Sequence, residues 1–305
     1  MKYSNKYKYI ITSGKGYLDI DALACGLALE YLLKYQGVDS TFISTAQINS
    51  TVPDEFVNSI IVKKPREIRG TDRFIICDVS DPQAFDRFVE EPKIVEIIDH
   101  HFGFEAYWQG KLAENSDIRP VAACASQICE RFIEAKVEPP PDLAKLLLLA
   151  IISNSLNMQL ELVCDVDKKA KKYLQSLLKP DPDRAKNYFK LVQEKFTLDP
   201  IGSLELDSKI ISISGKDYKF AQLEIWDESG LDFQSIFEIY AKKTEHLAIL
   251  NLALTGKGHN MIFTNDPSLT SQFSSLYEGE VNKKYFRKKD SIILRKQIIR
   301  DLKGQ

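Results

Sequence analysis

The chain has 305 residues, 44% of them apolar and 28% charged, with a net charge of −2. These are the values of a soluble globular protein built as one large domain or two ordinary ones. They exclude a bilayer-spanning segment, for want of a long apolar run, and a disulfide framework. The five cysteines (Cys25, Cys77, Cys124, Cys129, Cys164) are odd in number, sit among apolar residues and show no CxxC spacing, which fits reduced core thiols.

Met1–Lys6 leads straight toward a first strand with no signal-peptide core, so a cytoplasmic location is expected. Lys8–Thr12 is that strand, ending at Ser13-Gly14-Lys15-Gly16. From Asp21 the apolar spacing is helical and Gly37 closes the helix. Thr41–Ser44 is a second strand, Arg73–Cys77 a third ending in Asp78, and Ile94–Ile98 a fourth running into Asp99-His100-His101. Helices follow at about 122–136 and 142–153. Short apolar strands alternating with helices predict a parallel sheet covered on both faces.

A Pro/Asp cluster at Lys179–Asp183 marks a linker, giving expected domains 1–180 and 196–305, with a linker and connecting helix over 181–195. Beyond it, Lys209–Ile213 and Phe220–Ile225 flank a turn at Gly215-Lys216-Asp217, a hairpin signal. Leu247–Leu252 and Met261–Phe263 continue the strands, and Ile292-Ile293 reads as a last strand carrying Arg295 and Lys296. The final 25 residues hold nine Lys and Arg against two Asp, a local charge of about +7 that leaves about −9 for the rest. Such a segment binds nucleic acid, holds a small polyanion, or is a solvated face.

Asp99-His100-His101 alone equally fits a capping aspartate followed by two surface histidines. Ligands of open α/β sheets, however, collect at the carboxyl ends of the strands, and other strands here end in acids. Asp19 and Asp21 follow the first, Asp78 the third. Carboxylates with an imidazole suit manganese, and magnesium less well. Two such ions about 3.5–4 Å apart lower the pKa of a water and clamp an in-line displacement at phosphorus.

On these motifs the chain resembles the DHH phosphoesterases, and within them the DHH/DHHA2 subfamily of manganese-dependent (family II) inorganic pyrophosphatases and exopolyphosphatases. The family's His-x-Asn-Pro-Asp-x-Asp is matched by Lys15–Asp21, its second motif by Asp78, its third by Asp99-His100-His101 and its fourth by the helix running into Ser153-Asn154-Ser155. Asp207-Ser208-Lys209 and Leu294-Arg295-Lys296 match the second-domain motifs. Gly256-Lys257-Gly258-His259 only loosely echoes the signature of the related DHHA1 subfamily.

The resemblance implies a Rossmann-like parallel-sheet DHH domain, a smaller mixed α/β DHHA2 domain, and an active-site cleft between them. It implies metal ligands at Asp19, Asp21, Asp78, His100 and position 154, with phosphate bound by His101, Lys209, Arg295 and Lys296. The cofactor would be Mn2+ or Mg2+. The substrate would be a small phosphorylated molecule: pyrophosphate, polyphosphate or a nucleotide-like compound. No membrane partner is expected, nucleic acid is not favoured, and a homodimer stays open.

Two ligand positions depart from the family. Lys15 replaces the first-motif histidine and Asn154 the fourth-motif aspartate. A protonated lysine cannot ligate metal, so the Lys15 ammonium is expected to stand in for one ion, paired with Asp19 and Asp78, leaving at most one well-held ion. The sequence leans toward a hydrolase. A catalytically impaired binder of a phosphorylated ligand and a nuclease for short oligonucleotides are the alternatives.

Overall fold

The computed structural model describes residues 3–57, 68–282, 285–289 and 291–304, and the chain divides into units 1–182 and 183–305. The first unit runs β1 (Tyr9–Thr12), β2 (Tyr17–Leu18), α1 (Ile20–Tyr35), β3 (Ser40–Phe42), β4 (Gln47–Ile48), α2 (Asp54–Val57), β5 (Arg73–Cys77), β6 (Ile94–Asp99), α3 (Glu105–Leu112), β7 (Ser116–Ile118), α4 (Cys124–Ala135), α5 (Pro141–Asn154) and α6 (Asp165–Ser176). Its main sheet is all-parallel in the order β3-β1-β5-β6-β7.

The continuous apolar runs are explained by burial on both faces. Phe74 and Ile76 point with Ile10 and Ile97 into a core closed by Phe85 and Trp108, while Ile75 and Cys77 between them are equally sealed. On that other side α1, α4 and α5 pack together. Gly37 ends α1 at φ +79°, where the Val38 N–H reaches back to the Leu33 carbonyl (2.9 Å), a Schellman closure that suits glycine. The second strand is shorter than its apolar run, 40–42 rather than 41–44, although the Ile43 N–H still bonds to the Ile11 carbonyl (2.9 Å).

The second unit runs α7 (Arg184–Leu198), α8 (Pro200–Asp207), β8 (Lys209–Ile213), β9 (Lys216–Ile225), α9 (Phe233–Lys242), β10 (Leu247–Leu254), β11 (His259–Thr264), α10 (Pro267–Leu276), β12 (Gly279–Val281), β13 (Phe286–Lys288) and α11 (Arg295–Lys303). Its mixed sheet has the order β12-β13-β11-β10-β9-β8, with β9 and β10 parallel and the other pairs antiparallel. One face packs Leu223, Leu252 and Phe263 against Phe196, Leu204 and Phe237 of α7, α8 and α9. The other packs Phe220, Ile249 and Ile262 against Phe273 of α10 and Ile298 and Leu302 of α11.

Two local expectations are corrected. The hairpin turns on Ser214-Gly215, both at positive φ (50° and 78°), the backbone that two-residue hairpin loops require; Lys216 and Asp217 already belong to β9. Ile292-Ile293 is not a strand and Arg295 and Lys296 do not lie on one. They open α11, because the Gln297 side-chain oxygen takes the Leu294 N–H (3.1 Å) and the i, i+4 pair Ile298/Leu302 is buried on the sheet. Among the described residues no helix is long and apolar enough to cross a membrane.

Candidate active site

Because β1, β5 and β6 are adjacent and parallel, the segments leaving their carboxyl ends emerge side by side. Asp78 follows β5 directly and adopts φ +60°, a conformation costly for a residue with a side chain. Its N–H is held by the Ile98 carbonyl of β6 (2.8 Å). Non-glycine strain at a strand end is where functional geometry is commonly stored.

His100 is nearly buried. Its Nδ1 lies 3.1 Å from the Val121 carbonyl, which only accepts, so Nδ1 carries the hydrogen. Nε2 is then left 3.3 Å from the Asp78 carboxylate and 4.0 Å from that of Asp21. In the neutral ring a bare nitrogen lone pair thus faces carboxylate oxygens, an arrangement that is repulsive unless a proton or a cation lies among them. Ligand atoms of Asp78, His100 and His101 fall within 4.8 Å of one another, the one such convergence of His, Cys and acidic groups among the described residues. Mixed imidazole and carboxylate donors fit a divalent ion such as manganese.

Asp99 is the residue whose role the sequence reading missed. It is fully buried, and its Oδ1 accepts from the His100 N–H and from His101 Nδ1, both at 2.8 Å. Desolvation raises its pKa, but the His101 bond and charge, with Ser80 and His100, outweigh that and hold the carboxyl below its ordinary value. This fixes His101 with Nδ1 protonated and Nε2 pointing away from Asp99, on a side chain 39% exposed. The motif itself carried the signal, since an acid two residues before a histidine is well placed to orient it.

Asp21 is placed beside this group and also has a second task. Its two oxygens accept the N–H groups of Cys124 (2.9 Å) and Ala125 (2.8 Å) at the start of α4. Burial, then Asp78, push its pKa well up, with His100 opposing. Asp19 is the N-cap of α1, accepting from the Ala22 N–H (2.9 Å), and its charge also raises Asp21. Asn154 ends α5, its side-chain amide donating one turn back to the Ala150 carbonyl (3.4 Å). Lys15 is exposed and its ammonium donates to the Gln83 carbonyl (2.6 Å). Among the described residues it pairs with that carbonyl rather than with Asp19 or Asp78.

In the second unit Arg295 is 9% exposed. Its guanidinium donates to both Asp207 oxygens (2.8 and 3.3 Å), to the Asp207 carbonyl (2.7 Å) and to the Phe220 carbonyl (3.0 Å). This bidentate pair ties the start of α11 to the α8–β8 junction, and so places the exposed Lys296 and Lys209 on neighbouring segments. Glu224 sits close by, its pKa raised to about 7 by burial first and Asp207 second, with Gln222 and Arg295 opposing. Several described cations of the basic C-terminal segment are paired within the unit. Lys288 is buried on the Ser291 carbonyl (3.0 Å), Lys289 pairs with Glu280 and Arg300 with Asp301. Lys283 and Lys284 lie outside the described residues.

The DHH family, N-terminal domain, matches residues 9–151. The chain is 26% identical over 263 residues to the manganese-dependent inorganic pyrophosphatase of Methanocaldococcus jannaschii, covering 80% of this chain and 78% of that one. It is 26% identical over 258 residues to a probable manganese-dependent inorganic pyrophosphatase of an Exiguobacterium species, covering 81% of each. Its fold is shared with a Methanococcus jannaschii chain solved as a candidate family II inorganic pyrophosphatase, at TM-score 0.69 and 22% identity over 97% of this chain and 100% of that one. An exopolyphosphatase-related protein of Bacteroides fragilis shares it at TM-score 0.52 and 12% identity, over 97% and 91%. Residues 9–151, which hold all three strand-end motifs, thus match the N-terminal domain of the DHH family.

Proposed function

We propose that the protein is a metal-assisted phosphohydrolase of the pyrophosphatase and exopolyphosphatase type, acting on a small phosphoanhydride or phosphoester. The observation that carries this is the convergence of His100 Nε2 on the Asp78 carboxylate at 3.3 Å, with a His101 ring nitrogen within 4.8 Å, a donor set that suits a divalent cation. Relatives named as manganese-dependent pyrophosphatases make manganese the first choice and magnesium the second.

Asp78 and His100 would hold the ion, with Asp19, Asp21 and Asn154 as further oxygen donors. When bound, such an ion lowers the pKa of a water and offsets phosphate charge. One well-held ion per chain is the reading for this protein. Lys15 supplies no ligand where the family has a histidine, and Asn154 offers oxygen without charge. The residues of the chain do the rest. His101, locked by Asp99 through Nδ1, would as an imidazolium donate its Nε2–H to a phosphate oxygen. Lys209 and Lys296 supply point charges, and Arg295 holds their two segments together through Asp207.

The nuclease reading is weakened by how the described part of the basic segment is used, since Lys289, Arg300, Arg295 and Lys288 pair with Glu280, Asp301, Asp207 and the Ser291 carbonyl. The test is phosphate release from pyrophosphate, tripolyphosphate and a short oligonucleotide, each with manganese or magnesium. The proposal expects manganese-dependent release from one of the first two. No release from either, with saturable binding of pyrophosphate, would replace the enzyme with the phosphate-binding alternative.

A further inference from the structure

On the face of the second sheet that packs apolar side chains under α11, three neighbouring strands carry amides: Gln222 on β9, Asn251 on β10 and Asn260 on β11. Gln222 and Asn251 are register partners, and Asn260 is diagonal to Asn251. Asn251 and Asn260 are fully buried. Burying amides in a sheet core is costly unless every group is paired, and these are paired with one another and with one short segment. Asn260 clasps the Ile293 peptide groups, taking its N–H (2.9 Å) and donating to its carbonyl (2.8 Å). Asn260 also donates to Asn251 (2.7 Å), which donates to the Ile293 carbonyl and to Gln222, both at 3.1 Å. The Gln222 side-chain oxygen then accepts the Arg295 N–H. Its amide donates to Glu224 (2.5 Å), and its backbone N–H donates to Asp207 (2.8 Å), the Arg295 partner.

We propose that Gln222, Asn251 and Asn260 are positioning residues for the phosphate-binding end of α11, fixing the backbone at Ile293 and Arg295 so that Arg295 meets Asp207 and Lys296 faces outward. This rests on the proposed phosphate role of that segment. An apolar row would have packed α11 equally well, as it does under Ile298 and Leu302. Amides in these places add direction rather than burial.

The test uses the full chain, with Gln222→Met to remove all three side-chain bonds, to Asn251, Arg295 and Glu224, at similar volume. A second variant, Gln222→Glu with Glu224→Gln, reverses the amide and carboxyl of the pair and keeps an acceptor for the Arg295 N–H. KM for pyrophosphate is read from phosphate release, and Kd for pyrophosphate from calorimetry. Gln222→Met is expected to raise KM and Kd about tenfold, the equivalent of one or two lost hydrogen bonds, with kcat within about twofold; the swapped pair should recover most of the loss. KM and Kd equal to wild type in a folded Gln222→Met protein would overturn the positioning role. Loss in both variants alike, with a lowered melting temperature, would reduce it to a structural one. A wild type that releases no phosphate but binds pyrophosphate, with that binding weakened in Gln222→Met and restored in the swap, would remove the hydrolytic reading and leave the positioning intact. A wild type that neither hydrolyses nor binds pyrophosphate would overturn both.

Discussion

Asp21 of α1 caps helix α4 from a distance of 103 residues along the chain: its carboxylate accepts the Cys124 N–H at 2.9 Å, and its other oxygen accepts the Ala125 N–H at 2.8 Å. Helix α4 has no capping side chain of its own, since its N-cap is Ala123. A residue that the family motif presents as a metal ligand is therefore also a helix cap.

It follows that Asp21 matters to the fold in the absence of metal. Asp21→Ala leaves two buried N–H groups unpaired and should cost about 2–3 kcal/mol, with Asp21→Asn costing less because it retains one acceptor. Denaturant unfolding in the presence of a chelator measures this. Equal midpoints for wild type and Asp21→Ala would show that Asp21 contributes nothing beyond a metal.

Glu224 gives a pH dependence with a definite sign. Its pKa is about 7 in the folded chain and about 4.3 unfolded. The folded state thus binds the proton more tightly, and stability from this group is full below about pH 4, falls as pH rises, and is lost above about pH 7. Glu224→Gln should remove that fall, so that its stability relative to wild type grows between about pH 4 and 7 and then levels off. A difference that is flat across this range would contradict the assignment.

The cysteines should separate by reactivity. Cys25, Cys77, Cys124 and Cys129 are buried, and burial pushes each thiol up, to about 12 for Cys124 and Cys129. Only Cys164 is part-exposed. A thiolate-seeking reagent should label one thiol promptly in the native protein and all five in denaturant. Prompt labelling of several native thiols would contradict the packing of α1 and α4.

Restoring the family's ligands tests the single-ion reading. Metal analysis should find about one manganese per chain in the wild type and about two in Lys15→His/Asn154→Asp, because an imidazole and a carboxylate would replace an ammonium and a neutral amide. Two tightly held ions in the wild type would contradict it.

Much of this was legible in the sequence because the relevant signals are local. Strands sealed on both faces must be apolar throughout, so Arg73–Cys77 and Ile94–Ile98 stood out, and parallel order then brings Asp78 next to His100. What was not legible depends on partners far along the chain. Ile292-Ile293 has strand chemistry, yet Asn260 of another strand clasps its backbone and α11 starts where a strand was expected. Arg295 reads as a free phosphate contact until Asp207 is seen beneath it. Lys15 reads as a replacement for a metal, but its ammonium turns to the Gln83 carbonyl. The capping role of Asp21 has no local trace at all.

The central claim is that a cation held by Asp78 and His100 supports phosphate hydrolysis. Its most direct test is the initial rate of phosphate release from pyrophosphate as manganese is raised, in wild type and in His100→Ala. The account predicts a saturable manganese-dependent rate in wild type and a loss of at least about a hundredfold in the variant. A manganese-dependent rate that survives unchanged in His100→Ala would contradict it.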